Sequence, residues 1–360
     1  MKKNNGIFGV AIDIGTTNVQ AKLVNLDTNE IIGDFSALNN QRDFGADVIT
    51  RINAAQNGKL NELFSIINNQ TEGILQHFIC KHNLCTISKC AVSGNTTMHH
   101  LFCCIDPSSM GQAPYTPIFL DARNLTGKEL NLSAEQINLL PGISAFIGAD
   151  ITVGLTFVDI MNSGEDVLFI DIGTNGEIVV WKESEKRLLC CSAAAGPCFE
   201  EAEISCGLNA ADLINAIAEM KRNGVIDETG ALLAKEKHIT QKDIRQFQLA
   251  KSAVFSGIKT ICKTAKLDLK NIGTVYIAGG LGFHLNLANA AELGLIPWEF
   301  AGKANVKVKV CGNTSLNGAV QSLTDKSFLQ RCSDIISCAE VLELTNDKYF
   351  SAAFLHNLSL

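Results

Sequence analysis

Residues 10–18 read Val-Ala-Ile-Asp-Ile-Gly-Thr-Thr-Asn, and residues 168–177 read Leu-Phe-Ile-Asp-Ile-Gly-Thr-Asn-Gly-Glu. In each stretch an apolar run ends near an aspartate, a Gly-Thr turn follows, and a second apolar run begins. This pattern predicts a β-hairpin with a polar tip. Two such hairpins about half the chain apart predict two similar lobes.

The length of the chain also favours two lobes, because 360 residues exceed one ordinary compact core. We predict a first lobe over residues 1–160, a second over 161–312, and a C-terminal helix and tail over 313–360 that return to the first lobe. Residues 107–140 are rich in Pro, Asn and Leu and lack a clear period. We therefore predict an irregular insertion there.

Outside the hairpins, hydrophobic spacing predicts helices and a further strand. The strand covers residues 274–278 and ends at Gly279-Gly280. Thr240 and Asp243 resemble a capping box that opens a helix. Other helices are predicted over residues 61–78, 210–220 and 313–323.

Composition narrows the class of protein. Apolar residues make up 46% and charged residues 19%, as in a soluble globular protein. The net charge is −7 and no run of Lys and Arg is visible, so we expect no nucleic-acid partner. The longest apolar candidate, residues 143–161, is interrupted by Asp150 and Asp159, so no membrane span is expected. No signal peptide is recognisable, and we expect a cytoplasmic protein whose thirteen cysteines are reduced and mostly buried.

The two Gly-Thr turns carry the groups that a nucleotide triphosphate needs. Phosphate oxygens need N–H donors at close range, and glycine lets the backbone approach. Mg²⁺ prefers carboxylate and water ligands, which Asp13 and Asp171 can supply just before each turn. The predicted nucleotide-binding residues of the turns are Gly15, Thr16, Thr17 and Asn18 in the first, and Gly173, Thr174, Asn175 and Gly176 in the second.

A single Asp-x-Gly-Thr is weak evidence, since it is most often only a hairpin turn. Two copies on apolar strands, with a Gly-Gly after a third strand, are much more specific. The sequence contains no Gly-x-x-x-x-Gly-Lys-Ser/Thr loop and no strand-linked Gly-x-Gly-x-x-Gly, which argues against the two common nucleotide-binding motifs.

The three motifs together resemble the phosphate-1, phosphate-2 and adenosine motifs of the acetate and sugar kinase, Hsp70 and actin superfamily. They read Asp13-Ile-Gly-Thr-Thr, Asp171-Ile-Gly-Thr and Tyr276-Ile-Ala-Gly-Gly. Longer strings resemble one family, the reductive activators of corrinoid proteins in their ATPase region, from about residue 8 to the end. These strings cover residues 39–41, 44–51, 92–98, 113–117, 140–150, 171–177, 191–197 and 312–319.

The resemblance implies an α/β fold of the actin, Hsp70 and sugar-kinase type (ribonuclease H-like), with two lobes of mixed sheets and ATP in the cleft between them. It implies that ATP and Mg²⁺ drive the return of an inactive Co(II) corrinoid protein to Co(I). It also implies a homodimer. The family's electron-carrying members add a ferredoxin-like iron–sulfur domain that this sequence does not show, so we expect a separate ferredoxin-type donor or a different task.

Further site residues follow from the motifs and the resemblance. Glu177 is predicted to reach the metal or the attacking water, or else to face solvent at the strand start. Asp150 is predicted to line the cleft as a metal ligand, with a helix cap as the alternative. Gly279 and Gly280 would let the adenosine approach the strand end.

By analogy with Hsp70-like proteins, Lys251 and Ser252 would flank the adenosine, with a solvated lysine as the alternative. The strings at residues 44–51 and 92–98 are turn-rich and are interpreted as a surface read by another protein. Cys198 and Cys206 could bind a cluster across a dimer, although buried thiols are the simpler interpretation.

Two other functions remain open on the sequence. A small-molecule kinase of the same fold would place an acceptor hydroxyl in the cleft, with an aspartate as base. A non-catalytic module would use ATP only to change lobe closure. The long family strings favour the corrinoid-activating ATPase over the kinase.

Overall fold

The computed structural model describes residues 6–199, 208–234, 238–281, 285–301 and 306–360. The chain forms two compact units, which we call unit 1 (Met1–Val158 and Thr314–Ser337) and unit 2 (Asp159–Asn313 and Cys338–Leu360). The C-terminal region predicted to return to the first lobe is thus divided. Its first part belongs to unit 1 and its last part to unit 2.

The described residues contain both strands and helices in each unit. The strands are β1 Phe8–Ile14, β2 Asn18–Asn25, β3 Glu30–Leu38, β4 Ile87–Gly94, β5 Arg123–Thr126, β6 Ala134–Leu139, β7 Val167–Ile172, β8 Gly176–Lys182, β9 Arg187–Ala193, β10 Thr274–Ala278, β11 Lys307–Gly312 and β12 Ala339–Val341. The helices are α1 Val48–Ala54, α2 Leu60–His82, α3 Thr96–Phe102, α4 Gly127–Leu130, α5 Ala149–Phe157, α6 Ala210–Arg222, α7 Gln241–Thr264, α8 Leu287–Glu292, α9 Thr314–Thr324, α10 Phe328–Cys338 and α11 Lys348–His356. None of these helices is both long and apolar enough to cross a membrane.

The internal repeat predicted from the two hairpins is confirmed by the sheet topology. The unit 1 sheet has the order β3-β2-β1-β4-β6-β5, and the unit 2 sheet contains the order β9-β8-β7-β10-β11. In both, the first three strands pair antiparallel and the next two pairings are parallel. Each sheet has one further strand, and these strands lie at opposite edges: β5 follows β6 in unit 1, whereas β12 lies beside β9 in unit 2.

The segment predicted as an irregular insertion contains part of the unit 1 sheet instead. β6 pairs in parallel with β4, and β5 pairs antiparallel with β6. Between them, Thr126 and Glu129 form a capping box at the start of the short α4. The sequence of β6 is Ala-Glu-Gln-Ile-Asn-Leu, with polar residues interrupting the apolar ones, so its hydrophobic pattern is weak.

Both faces of the central strand β1 are buried, which explains its continuous apolar sequence. Val10 and Ile12 point to a core shared with α2, where Leu63 and Phe78 pack. Because side chains alternate along a strand, Ala11 lies on the opposite face, in a core that includes residues of α5, α9 and α10. Unit 2 has a large core in which β7, β8 and β10 pack with α6 and α7.

Helices α5 and α9 approach each other closely at Gly318. A Cβ atom at Gly318 would lie 2.5 Å from Val153 Cγ1 and 2.6 Å from the Val153 carbonyl oxygen. Non-bonded atoms do not approach so closely, so a side chain at Gly318 would push the two helices apart. The packing of α9 in unit 1 therefore depends on this glycine.

We expect Gly318→Ala to destabilise the protein by about 1–3 kcal/mol through overpacking. The matched control is Gly73→Ala in α2, where a Cβ would meet nothing within 4 Å. That change should be neutral or stabilise by about 0.5–1 kcal/mol, because alanine is the better helix former. Thermal unfolding followed by circular dichroism gives the comparison. A Gly318→Ala midpoint at or above that of the unsubstituted protein would contradict the account.

Candidate functional site

The first predicted phosphate loop is the tight turn between β1 and β2. The Gly15 N–H donates to the Asn18 carbonyl over 2.9 Å and closes the turn. A Cβ at Gly15 would lie 2.8 Å from that same carbonyl oxygen, so the turn requires glycine there. Thr16 and Thr17 are both buried. The backbone of this loop is therefore fixed by its own sequence.

The carbonyl oxygens of this loop are held by two buried side chains outside it. Asn39 donates its side-chain N–H to the Gly15 carbonyl over 2.8 Å and its backbone N–H to the Thr17 carbonyl over 2.7 Å. Arg51 donates from its Nη2 to the Thr16 carbonyl. Three successive carbonyls are thus satisfied inside the protein, as buried backbone groups must be.

Arg51 is a fully buried guanidinium whose contacts are nearly all backbone or neutral groups. It also donates to the Gly45 carbonyl over 3.0 Å and contacts Met98 Sδ over 3.3 Å. Burial lowers the pKa of Arg51 to about 10, against the opposing effect of Asp47. The residue still carries its charge at neutral pH, so its hydrogen bonds to the loop are charge-assisted.

The interpretation of residues 92–98 as a surface for a partner is wrong, because nearly all of this string is buried, whereas residues 44–51 include the buried Arg51 beside the exposed Ile49 and Thr50. Arg51, Thr96, Thr97 and Met98 are buried, and so is Asn39 in the string before them. These strings support the first loop from inside unit 1. Their polar residues resemble a surface in sequence because a buried polar network and a solvent-exposed turn use the same residue types.

Asn95 adds a third support to the loop. It caps α3 by accepting the Met98 N–H over 3.0 Å, and it donates to Thr16 Oγ1 over 3.0 Å. The start of α5 approaches here, since a Cβ at Gly148 would lie 2.7 Å from Asn95 Cα and from the Thr96 nitrogen. The Gly148-Ala149-Asp150 string at the start of α5 therefore brings Asp150 into this part of unit 1.

Asp13 and Asp150 are the carboxylates of the unit 1 site. Asp150 lies in the first turn of α5, and burial together with the nearby Asp13 raises the pKa of Asp150. Asp13 accepts a hydrogen bond of 2.7 Å from Ser315 Oγ, and Ser315 Oγ lies 2.8 Å from Ser93 Oγ. Ser93 is opposite Asp13 in the β1–β4 pairing.

This set of donors suits Mg²⁺. Two neighbouring carboxylates repel each other, and a shared cation would remove this repulsion. Hydroxyl and carboxylate oxygens are hard ligands of the kind that Mg²⁺ prefers. Mg²⁺ usually keeps several waters and takes only one or two carboxylates from a protein. Within the described ranges no group of three or more Cys, His, Asp or Glu side chains could hold a metal ion.

The second predicted loop, between β7 and β8, takes the corresponding place in unit 2 but closes two positions on, whereas the first loop closes three positions on. The Gly173 N–H donates to the Asn175 carbonyl over 2.9 Å, and Thr174 is buried. Asp171 and Glu177 are directly opposite each other across the two strands. Like charges at such a position repel each other, and a cation bound between them would relieve that repulsion.

Glu177 belongs to a row of polar residues across three strands. Ser192 on β9 is its partner in the β8–β9 pairing and donates to Glu177 Oε1 over 3.1 Å. This contact fixes one carboxylate oxygen of Glu177 on the face of the sheet that carries Asp171. Gly176 makes room for α7 behind the loop, since a Cβ there would lie 2.9 Å from Val254 Cγ2.

Gly279 and Gly280 directly follow β10, beside the end of β7. Gly279 has φ of +93°, and a Cβ there would lie 2.4 Å from the Ile172 carbonyl and 2.7 Å from Asp171 Oδ1. Its N–H donates to the Gly312 carbonyl over 3.0 Å. A Cβ at Gly280 would meet nothing within 4 Å. The Gly-Gly turn is thus next to the predicted metal ligand of unit 2.

Lys251 and Ser252, predicted to flank the adenosine, contact the C-terminal segment of unit 2. Lys251 donates to the Ser359 carbonyl, and Ser252 donates to the Phe354 carbonyl over 2.5 Å. Both residues are buried, and burial with the nearby Lys221 lowers the pKa of Lys251 to about 8. Lys251 Nζ and Ser252 Oγ therefore donate hydrogen bonds within unit 2.

Each unit therefore brings its own predicted residues together. In unit 1 these are Asp13, Asp150 and the first loop, and in unit 2 they are Asp171, Glu177, the second loop and Gly279. Sequence reasoning missed the supporting residues Ser315 and Ser93. A signal for Ser315 existed, because it lies within the 312–319 family string. Cys198 is buried, and Cys206 lies outside the described residues.

Two family models match the chain in succession. The first, described as the RACo middle region, covers residues 8–163. The second, described as the C-terminal domain of RACo, the ASKHA domain, covers residues 165–213 and 233–360. ASKHA stands for the acetate and sugar kinase, Hsp70 and actin superfamily, so the predicted fold class is confirmed.

Individual relatives and a solved structure agree with this. The chain is 27% identical to the corrinoid activation enzyme RamQ of Eubacterium limosum, covering 99% of this chain and 71% of that protein. It is 22% identical to a [Co(II) methylated amine-specific corrinoid protein] reductase of Methanosarcina barkeri, covering 98% and 77%. A solved reductive activator for a corrinoid, iron-sulfur protein superposes with a TM-score of 0.90 at 29% identity, covering 100% of this chain and 67% of that one. The family models, the relatives and the fold agree, and this chain belongs to the RACo family, with the middle region and the ASKHA domain in succession.

Proposed function

We propose that this protein binds ATP with Mg²⁺ and uses its hydrolysis to drive the reduction of a corrinoid protein from Co(II) to Co(I). The observation that carries the proposal is the duplicated loop, in which an aspartate precedes a closed Gly-Thr turn in the same place in two equivalent sheets. Two relatives are named for their action on corrinoid proteins, and these names suggest the substrate class.

The way the first loop is held supports phosphate binding. Asn39 and Arg51 take up the carbonyl oxygens of Gly15, Thr16 and Thr17. A turn whose carbonyls are engaged on one side can direct its amide groups to an anion on the other. In unit 2 the corresponding turn is Gly173–Asn175, and Gly280, where a Cβ would meet nothing within 4 Å, leaves room for a ligand to approach the backbone.

Asp13, Asp150 and Asp171 are the residues that would hold hydrated Mg²⁺, and Glu177 would orient the attacking water. When bound, Mg²⁺ neutralises the charge on the phosphates. The protein's own contribution is positional: Ser315 holds Asp13, and Ser192 holds Glu177. Carboxylates that are already fixed need not reorganise when charge develops in the transition state. Such preorganisation is usually the largest part of electrostatic catalysis.

The electron for the corrinoid protein needs a low-potential source. We propose that a separate ferredoxin-type iron–sulfur protein supplies it. We also propose that the protein works as a homodimer in the cytoplasm, where thiols stay reduced.

Asp13→Asn and Asp171→Asn should each lower the rate of ATP hydrolysis by roughly 10²-fold or more, because each removes a charge that acts at the reacting phosphates. The thermal midpoint should change little. Asp34→Asn on β3 is the matched control, since Asp34 is exposed and distant in sequence from both turns. Phosphate release gives the rates. Unchanged hydrolysis in both variants would remove the assigned role.

ATP turnover should also respond to the partner. We expect hydrolysis to accelerate when a corrinoid protein in the Co(II) state is added and to respond less to the Co(I) state, because differential binding couples the two equilibria. The measurement is steady-state phosphate release with both oxidation states. If the rate of ATP hydrolysis does not change with the corrinoid protein but rises with a sugar or small carboxylate that becomes phosphorylated, the protein is a small-molecule kinase and not a corrinoid-activating ATPase.

A further inference from the structure

Asp13 is held by a residue from the far end of unit 1's sequence. Ser315 lies in the first turn of α9, 302 positions along the chain from Asp13, and its Oγ donates to Asp13 Oδ1 over 2.7 Å. Ser315 is buried, and Ser93, whose Oγ lies 2.8 Å away, is fully buried. The Ser315–Ser93 contact is therefore buried, and the Ser315–Asp13 hydrogen bond is partly buried.

The chemistry of the three groups fixes the direction of the hydrogen bonds. A carboxylate only accepts, and a serine hydroxyl has one hydrogen. Ser315 therefore gives its hydrogen to Asp13, and the Ser93 hydroxyl gives its own to Ser315 Oγ. Hydrogen bonds in a chain polarise one another. The hydrogen bond from Ser93 to Ser315 therefore strengthens the hydrogen bond from Ser315 to the Asp13 carboxylate.

The first turn of α9 is itself immobilised in unit 1. Asn317 accepts a hydrogen bond of 2.7 Å from Lys22 on β2, and Gly318 packs against Val153 of α5. Ser315 is thus attached to a rigid element, and its hydroxyl cannot follow Asp13 if the carboxylate turns. A donor on a rigid helix selects one rotamer of the acceptor.

Ser315 also lies where the chain passes from one unit to the other. Unit 2 ends at Asn313 and unit 1 resumes at Thr314. Just before this crossover, the Gly312 carbonyl accepts the Gly279 N–H, and Gly279 lies against Asp171. Within unit 2, Gly312 is thus bonded to the residue beside Asp171, and within unit 1, Ser315 is bonded to Asp13.

We propose that Ser315 is a positioning residue: its hydroxyl, backed by Ser93, fixes the Asp13 carboxylate for the metal–nucleotide complex and ties that carboxylate to the crossover segment. The proposal rests on the proposed function, since it deepens the role of Asp13. It has two consequences. Loss of the hydroxyl weakens metal binding more than nucleotide binding. Binding of the metal–nucleotide complex also slows amide hydrogen exchange at residues 313–316.

The first test measures Mn²⁺ affinity in the presence of ADP, by electron paramagnetic resonance of the free ion. Ser315→Ala and the nearly isosteric Ser315→Cys should each weaken Mn²⁺ binding about tenfold, the effect of losing one hydrogen bond to a charged group. Affinity for ADP without metal, from calorimetry, should be unchanged. Ser93→Ala, which leaves the Ser315–Asp13 bond in place, should give a smaller loss.

The matched control is Ser322→Ala on the same helix, where the hydroxyl donates to the Ala319 carbonyl. It should bind Mn²⁺ as the unsubstituted protein does. Wild-type affinity in both Ser315 variants, or an equal loss in Ser322→Ala, would overturn the proposal. If the unsubstituted protein binds no metal–ADP complex, the proposed function itself fails, and that result is seen before any variant is made.

The second test follows amide hydrogen exchange at residues 313–316. Adding ADP with Mg²⁺ should slow exchange there in the unsubstituted protein and in Ser322→Ala. The slowing should be lost in Ser315→Ala. Equal protection in Ser315→Ala would show that the crossover segment does not sense Asp13 through this hydroxyl, and would overturn that part of the proposal.

Discussion

The site in unit 1 depends on the hydrogen bonds by which Asn39 and Arg51 hold the carbonyl oxygens of the first loop. A tight turn at the end of a buried strand has backbone groups that no sheet partner can satisfy, and leaving them unpaired would be costly. Asn39 and Arg51 supply the donors from inside the fold. The loop is then rigid before any ligand arrives, which is the condition for strong electrostatic catalysis.

The two units solve the same problem with different residues. Unit 1 supports its loop with a buried polar network that includes a guanidinium. In unit 2 the loop lies between small residues: Gly176 lets α7 approach, and Gly279 lets the end of β10 approach Asp171. The repeat is thus one of topology and of the Asp-Gly-Thr turn. The contacts around the turns differ, and so the two loops need not contribute equally to the reaction.

Much of this could be read from the sequence, for identifiable reasons. The strong apolar runs before Asp13 and Asp171 predicted the hairpins, and Thr240 with Asp243 marked the start of α7. β6 was missed because polar residues interrupt its apolar pattern. The link from Ser315 to Asp13 joins residues far apart in the chain, and no local period or motif encodes such a contact. The buried role of Arg51 was missed because a charged residue in a turn-rich string is usually exposed.

The central claim is that ATP drives the corrinoid protein from Co(II) to Co(I). Co(II) is paramagnetic and Co(I) is not, so electron paramagnetic resonance of the corrinoid protein follows the step directly. With a ferredoxin-type donor present, we expect the Co(II) signal to disappear only when both this protein and ATP with Mg²⁺ are added. Equal loss of the signal without ATP, or a signal that persists with every component present, would contradict it.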